Sequence, residues 1–397
     1  MKYLILTGLL CLAFPAAAAE GAEAVRIGVL TAKTGAHDET RGSGSVLAAQ
    51  MAIEDFGGKA LGQPIEIVTG NHQNRPSVGA SIVRRWFQHG GVDVVVNVPN
   101  PGVAEAVREA VAEHHGLLIM SVRPFSSQPE HCQSQVITWG YDADWLARGA
   151  VKGLAGAGVR SWSLFGTSTR HGEEAMDSLA QIIAAAKGQV VAARKLPALR
   201  REYPSAHSLV EDLHAANADI VALNMGPAAL KAFSQDLHGE LGGKLLPRIY
   251  SQAWPFADDE KQPPEIAGEV IYALPYEDGE GARDFSSRFT ARADGRKPNL
   301  LHLSVYAAIL HYLKAVEALN ADRPGELVGA KMQELPTEDA IFGAGAILPS
   351  GRRVGNIYLY AHHAADADKK DELLSHLSYA DMGGAAALAP CEKEAGK

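Results

Sequence analysis

From Val25 onward, short apolar runs alternate with stretches in which apolar residues recur every three or four positions. A continuous apolar run predicts a strand buried in a parallel sheet, and the wider spacing predicts an amphipathic helix. For example, the apolar run at residues 92–96 predicts a strand. The helix predicted after it begins at Pro101, a residue favoured in the first turn of a helix. The repeated order of strand and helix predicts an α/β fold.

This order of strand and helix occurs twice, which predicts two doubly wound parallel-sheet lobes. The first set of strands ends at residues 117–120, and an irregular stretch at 124–134 follows. A strand at 136–138 is expected to cross over before the pattern restarts at 162–165. A helix over Leu300–Leu319 and a β-like segment come later, and periodicity does not assign either to a lobe.

The N-terminus is typical of a secretory signal peptide. Lys2 precedes a mainly apolar stretch at residues 3–14, and Pro15 and four alanines lead to the polar Glu20. We therefore expect residues 1–19 to be removed after Ala19 and the mature protein to reach the periplasm. No later segment approaches the roughly 20 apolar residues of a membrane helix, so membrane insertion is not expected.

With 397 residues, 47% hydrophobic and 21% charged, the chain is long enough for two cores. The formal net charge of -9 is spread along the chain without a run of Lys and Arg, so nucleic-acid binding is not expected. Removal of the signal peptide leaves Cys132 and Cys391, and an even pair in an exported protein predicts a disulfide. The alternative is two separate buried thiols.

The sequence contains no phosphate-binding loop motif, no nucleophile elbow, no zinc-binding helix motif and no Cys-x-x-Cys pair. Two lobes without a catalytic cluster predict a binding protein that needs no cofactor and no metal. An enzyme on the same scaffold is the alternative, because some catalytic triads leave no local signature. His37 and His171 would be its candidate bases.

The location of the ligand follows from the fold class. In open α/β sheets, ligands bind beyond the carboxyl ends of the strands, where loops and helix N-termini present N–H groups. This rule selects Thr34, His37, Pro99, Asn100, Ser121, Val122 and Arg123 in the first lobe. In the second lobe it selects Thr169, Arg170, Asn224, Met225, Gln252 and Trp254. Tyr141 lies near the first crossover and is expected to face the cleft.

Residues 71–79, with the sequence NHQNRPSVG, resemble a segment of the periplasmic solute-binding proteins of the leucine, isoleucine and valine-binding type. The resemblance continues through GSVLAAQMAIEDF (44–56), VDVVVNVPN (92–100), TWGYD (138–142), YAAILHYLKAV (306–316) and residues 332–345. It covers nearly the whole mature chain in order.

The resemblance implies a type I periplasmic-binding-protein fold, in which a three-segment hinge joins the lobes. One lobe would hold residues 24–139 and 279–348, and the other residues 140–278 and 349–397. It also implies a monomer that captures an amino acid, carboxylic acid or amide and delivers it to the membrane permease of an ABC importer. Cysteines of the same subgroup match Cys132 and Cys391, and loops of the family hold a ligand carboxylate at positions that match Asn100 and Ser121.

The sequence departs from its subgroup at two of these loops. Val122 and Arg123 replace the usual Ala-Ala after the serine, and Ser168 and Thr169 replace the usual Asp-Tyr. We expect Arg123 to bind an anionic ligand, because a guanidinium matches a carboxylate with two hydrogen bonds.

Each site residue also has a structural alternative. Asn100 would cap the helix that begins at Pro101, Trp254 would lie in the core, and Arg123 would form a surface ion pair. For the whole protein, a periplasmic sensor domain is the main rival to transport. We expect no fused output domain, which favours transport, and the sequence does not identify the ligand.

Overall fold

Two β-sheets with helices packed on them make up the described part of the chain. The structure is a computed structural model, and it describes residues 24–32, 38–125, 132–197, 199–241, 248–253, 269–363, 371–387 and 391. The predicted α/β class and the two doubly wound lobes are confirmed.

The first sheet has the strand order β2-β3-β1-β4-β5-β6 and is parallel except for the short antiparallel strand β2. Its strands are β1 (Val25–Thr31), β2 (Lys59–Ala60), β3 (Gln63–Asn71), β4 (Val94–Asn97), β5 (Leu117–Arg123) and β6 (Val136–Asp142).

The second sheet has the order β15-β14-β11-β10-β9-β7-β8, and its last two strands along the chain are antiparallel. Its strands are β7 (Ser161–Thr167), β8 (Gln189–Leu196), β9 (Ile220–Asn224), β10 (Ile249–Tyr250), β11 (Glu269–Leu274), β14 (Ile357–His363) and β15 (Glu372–Leu377). A separate hairpin is formed by β12 (Gly345–Ile347) and β13 (Arg353–Gly355).

Helices connect most of these strands: α1 (Asp38–Phe56), α2 (Pro76–His89), α3 (Pro101–Ala112), α4 (Ala143–Gly156), α5 (Arg170–Ala185), α6 (Ala206–Ala215), α7 (Pro227–Leu241), α8 (Glu280–Arg292), α9 (Leu300–Leu319) and α10 (Gly325–Glu334). Helix α9 has the bounds predicted from its spacing. Within the described ranges, no helix combines the length and apolar character that crossing a bilayer requires.

The apolar run that predicted β4 has a direct explanation in the packing. Val94 and Val96 point into the core under α1 and α9, while Val95 points into the core under α2 and α3. All three side chains are at most 1% exposed. Because helices cover both faces of the sheet, the strand carries no polar alternation.

The chain passes between the sheets three times. It leaves the first sheet from β6 to α4, returns from β11 to α8, and leaves again from β13 to β14. The first and third passages lie side by side, since Thr138 pairs with Arg352 in a parallel bridge. The indole Nε1 of Trp145 also donates to the Gly355 carbonyl at 2.9 Å.

Residues 71–79, which carry part of the family resemblance, form the turn from β3 to α2. The buried His72 accepts the Asn74 N–H on Nδ1 at 3.0 Å, and Gln73 and Asn74 have φ of 52° and 55°. A Cβ at Gly79 would come within 2.6 Å of Val103 Cγ1. This segment therefore sets the close approach of α2 to α3.

Burial of its imidazole lowers the pKa of His72 to about 4. The unfolded chain binds this proton near pH 6.5, so acid favours unfolding throughout the window between the two pKa values. We expect His72 to lower the free energy of unfolding by about 3 kcal/mol across that window. Urea unfolding between pH 7.5 and 4.5 should show a shallower pH dependence for His72→Asn, which keeps an acceptor. Parallel curves for the two proteins would contradict this assignment.

The predicted disulfide joins Cys132 to Cys391. Their Cα atoms are 5.0 Å apart, and 259 positions separate them along the chain. The bond ties the C-terminal segment to the loop before β6.

Replacing both cysteines by serine in the protein that starts at Glu20 should lower the free energy of unfolding. In the chain-entropy model, opening so long a loop costs about 5 kcal/mol, less any strain that is released. Denaturant unfolding of the two proteins measures the difference. Thiol titration of the unfolded, unreduced protein should detect no free thiol, and finding two per chain would rule out the bond.

Candidate ligand-binding cleft

The carboxyl ends of β5, β6, β7 and β9 meet between the two sheets, and five helices begin at the same place. The first turns of α3, α4, α5 and α9 contribute Pro101, Ala143, Gly172 and Leu301, and Gly226 directly precedes α7. Helix N-termini carry partial positive charge and N–H groups, which favour ligand oxygen atoms. The fold therefore forms a cleft where the strand-end rule expected one.

The larger space in this cleft, here called the main cavity, has a volume of about 370 Å³. The first sheet and its helices contribute mainly apolar residues: Pro101, Val122, Pro124, Phe125 and Leu301. The second sheet and its helices contribute a more polar set: Thr167, Thr169, His171, Asn224, Met225 and Gln252. Among the described residues that line it, there is no Asp, Glu, Lys or Arg. An apolar molecule with a few polar groups fits this surface.

Two polar side chains in the main cavity, Tyr141 and Gln252, are held in place by hydrogen bonds. Tyr141 donates its hydroxyl to Gln252 Oε1 at 3.4 Å, and Gln252 Nε2 donates to the Ala143 carbonyl at 2.8 Å. Burial raises the pKa of Tyr141, so its phenol stays protonated. The buried Nδ2 of Asn224 has no hydrogen-bond partner among the described residues. A ligand acceptor there would recover the free energy of about 1–3 kcal/mol that an unmade bond costs.

A second space, here called the side cavity, has a volume of about 230 Å³. It adjoins the main cavity, since five residues line both spaces: Pro101, Val122, Pro124, Phe125 and His171. Its character differs, since its described lining includes the ionisable residues Glu105, Arg108, Arg123, Arg170, Glu174 and Arg352.

Asp142 lies behind the lining of the side cavity and interacts with two of its arginines. Arg352 donates to both of its carboxylate oxygens, at 2.7 and 2.8 Å, and Arg123 Nη1 lies 3.7 Å from Oδ1. Burial alone would raise the pKa of Asp142, but the charges of Arg352 and Arg123 outweigh it and hold this pKa below its usual value. The carboxylate is therefore ionised and largely neutralised by Arg352.

The remaining charges of the side cavity come from α3 and α5. On α5, Arg170 and His171 both approach Glu174, at 3.3 and 3.4 Å. On α3, desolvation of its guanidinium lowers the pKa of Arg108, although the residue as a whole is exposed, and the charge of Arg123 lowers it further. The charge of Arg123 therefore acts on Arg108 at the wall of the side cavity.

Most of the residues selected by the strand-end rule come together here. The main cavity contains Val122, Tyr141, Thr169, Asn224, Met225 and Gln252. The side cavity contains Pro99, Arg123 and Arg170, together with Val122. The side chain of Arg123 is only 16% exposed, so it does not project into solvent. Thr34, His37 and Trp254 lie outside the described residues.

Asn100 and Ser121 line neither cavity, and both are used in internal hydrogen bonds. Asn100 Oδ1 accepts the Val103 N–H at 3.1 Å and caps α3, as the structural alternative expected. The buried Ser121 donates to Asn97 Oδ1 at 2.7 Å. A role for these two residues in holding a ligand carboxylate stays a prediction.

Many lining residues were not selected from the sequence, among them Arg108, Phe125, Leu301 and Arg352. Arg108 lies two turns into α3, and Leu301 begins a helix that no strand precedes directly. Arg352 belongs to the third passage between the sheets, and Phe125 follows β5 beyond its strand end. A rule based on strand ends does not select such positions. Only Arg108 could have been suggested by the sequence, because it lies one helical turn after Ala104 on the same face of α3.

These features define the class: a protein of two α/β lobes with a ligand-sized cleft at their junction. A family model described as periplasmic binding protein matches residues 24–367, and the chain belongs to this family. The predicted relationship is thereby confirmed. A search of curated proteins found no match.

Solved structures agree in fold. A branched-chain amino acid ABC transporter periplasmic ligand-binding protein from Burkholderia xenovorans LB400 shares 26% identity, with a TM-score of 0.78, over 89% of this chain and 95% of that one. A periplasmic binding protein from Burkholderia mallei shares 22%, with a TM-score of 0.74, over 90% and 96%. An ABC transporter solute-binding protein from R. palustris, solved in complex with benzoate, shares 17%, with a TM-score of 0.70, over 94% and 98%.

Asp142→Asn should destabilise the protein strongly, because it removes the carboxylate that neutralises Arg352 behind the cleft. Breaking a buried ion pair costs about 3 kcal/mol or more, while asparagine would still cap α4. The control is Asp284→Asn, at an exposed carboxylate 2.9 Å from Arg288, where a loss below about 1 kcal/mol is expected. Chemical unfolding measures both, and equal losses would contradict the role of Asp142.

Proposed function

We propose that this protein is the periplasmic solute-binding component of an ABC importer. After removal of residues 1–19 it would act as a monomer, hold one small molecule between its lobes and present it to the membrane permease. The ligand would be an amino acid, a carboxylic acid or an amide. The lobe limits proposed are 24–139 with 279–348, and 140–278 with 349–397.

One observation carries the proposal: the main cavity lies at the junction of the sheets and takes its walls from both. Pro101, Val122 and Leu301 come from one side, and Thr169 and Asn224 from the other. Ligand sites between two lobes are a common arrangement in α/β proteins, and closure about the crossings then encloses the ligand. Relatives named for branched-chain amino acid transport and for a benzoate complex support the ligand classes.

Two other functions are weighed against transport. A sensor would use the same cleft and pass its state to a signalling partner, and the ABC transporter names of the relatives favour transport. An enzyme would need a nucleophile activated by a base. His171 is the one described histidine in the main cavity. Its ring nitrogens lie 3.4 Å from Glu174 and 3.5 Å from Arg170, both on the same helix. Capture without chemistry is the better explanation.

Native mass spectrometry of protein purified from its own host tests the proposal. The wild-type chain should carry one small molecule. Ala175→Phe fills the main cavity from α5 and should abolish the bound mass, because the added ring occupies the ligand's space. Ala184→Phe, at an exposed position on the same helix, should retain it.

Thermal unfolding of both variants checks that they fold. A bound molecule that survives Ala175→Phe in a folded protein would place the ligand elsewhere and contradict the proposed cleft.

A further inference from the structure

The two sides of the main cavity differ in the hydrogen-bond donors that they offer to a ligand. On the first-sheet side, the helix N-termini that line the cavity are capped. Asn100 accepts the Val103 N–H at the start of α3, where Pro101 has no N–H to donate. At the start of α9, the Asn299 side chain accepts two N–H groups. Because the side chains on this side are mainly apolar, a ligand oxygen meets few donors there.

On the second-sheet side, one buried donor is left without an acceptor. Asn224 ends β9, and its Nδ2 has no hydrogen-bond partner among the described residues. Gln252, the other carboxamide of the cavity, is already used: its Oε1 accepts the Tyr141 hydroxyl, and its Nε2 donates to the Ala143 carbonyl. A buried donor without an acceptor is unfavourable, so an acceptor supplied by a ligand would stabilise the occupied cleft.

Two threonine hydroxyls at the neighbouring strand end leave a second donor. Thr167 ends β7, where Gly166 pairs with Asn224 in the parallel sheet. The hydroxyl oxygens of Thr167 and Thr169 lie 3.1 Å apart, and Thr169 also accepts the Gly172 N–H at 3.1 Å. Whichever hydroxyl donates to the other, one hydrogen lies between the two oxygens. The remaining hydroxyl hydrogen has no acceptor among the described residues.

We infer that Asn224 and the pair Thr167 and Thr169 form a donor subsite, which binds a carbonyl or carboxylate oxygen of the ligand. The apolar body of the ligand then packs against the opposite side of the cavity, at Val122 and Leu301. The inference rests on the proposed function and specifies its ligand class: an apolar acid or amide without an ammonium group. An ammonium group needs an anion or several acceptors when it leaves water, and the described lining of this cavity contains no carboxylate.

Calorimetry with matched synthetic probes tests the donor subsite. Benzoate and 4-methylpentanoate carry a carboxylate, and their amides carry a neutral carbonyl. Benzylamine replaces the carbonyl of benzamide by an ammonium group, and leucine is 4-methylpentanoate with an added α-ammonium group. At least one acid or amide should bind the wild-type protein about 10-fold more tightly than its ammonium counterpart, the scale of a hydrogen bond gained and an ammonium group not buried. Comparison of acid with amide shows whether the bound oxygen is charged.

Asn224→Leu separates a ligand role from a structural one. Leucine has a similar shape and removes the unpaired donor, so the ligand-free variant should unfold at the wild-type temperature or above it. Both proteins are freed of bound molecules by unfolding and refolding before the measurement. The probe that the wild type prefers should bind the variant about 10-fold more weakly.

Asn224→Asp keeps the shape of the side chain and replaces its donor by a carboxylate. It should weaken the binding of an acid more than the binding of the matching amide, because the two carboxylates repel each other. The control is Gln189→Glu, which adds the same charge at an exposed position on β8 of the same sheet and should leave both affinities unchanged.

The inference would be overturned if an ammonium probe bound as tightly as the acid and the amide, or if no acid or amide bound at millimolar concentration. It would also be overturned if the affinity of the preferred probe survived Asn224→Leu and Asn224→Asp in folded protein. The molecule carried by the wild-type chain separates this failure from that of the proposed function. A bound amino acid that Ala175→Phe displaces would refute the donor subsite and leave the solute-binding role in place.

Discussion

The carboxylate of Asp142 connects the segments that cross between the sheets to the wall of the cleft. It ends β6, caps α4 through the Trp145 N–H at 3.1 Å, and binds Arg352 on the third passage between the sheets. A buried carboxylate is tolerated only when it is paired and hydrogen-bonded, and here both conditions are met. Because Arg123 is its second cationic neighbour, the same charge also fixes a wall of the side cavity.

This arrangement explains why the two passages stay together. A parallel bridge joins Thr138 to Arg352, and the Thr138 N–H donates to the Gly351 carbonyl at 2.8 Å. Backbone pairing aligns the two segments. The ion pair between Asp142 and Arg352 joins them further, because neither charged group could be buried without the other. Gly351 is required in this contact, since it has a φ of 82° and a Cβ would lie 1.9 Å from the Val136 carbonyl oxygen. The hinge is thus held by geometry and by electrostatics.

The order of elements could be predicted from the sequence because both sheets are covered on both faces. Continuous apolar runs such as β4 then mark strands, and α9 is marked by its spacing along the whole of Leu300–Leu319. The strand-end rule found Asn224 and Gln252 for the same reason, since it depends on topology alone. Side-chain directions were not accessible in this way. Asn100 lies in the expected loop and Ser121 lies within β5, but their polar atoms are used in hydrogen bonds to Val103 and Asn97.

Other features depend on contacts between segments distant in the chain. β15 is mostly exposed and pairs only with β14, so its sequence carries little pattern. β6 continues to Asp142, past the strand predicted at 136–138, because Gly140 with a φ of 105° allows a register shift opposite Ser121. A Cβ there would lie 1.8 Å from Ser304 on α9. No local sequence pattern indicates that this position must lack a Cβ.

The division of the cleft also bears on how binding and lobe movement are linked. A ligand changes the arrangement of the lobes only by its difference in affinity for the two arrangements. A molecule confined to one wall would therefore leave the hinge equilibrium unchanged. The main cavity takes Val122 and Leu301 from one lobe and Thr169 and Asn224 from the other, so its contacts are complete only when both walls are close.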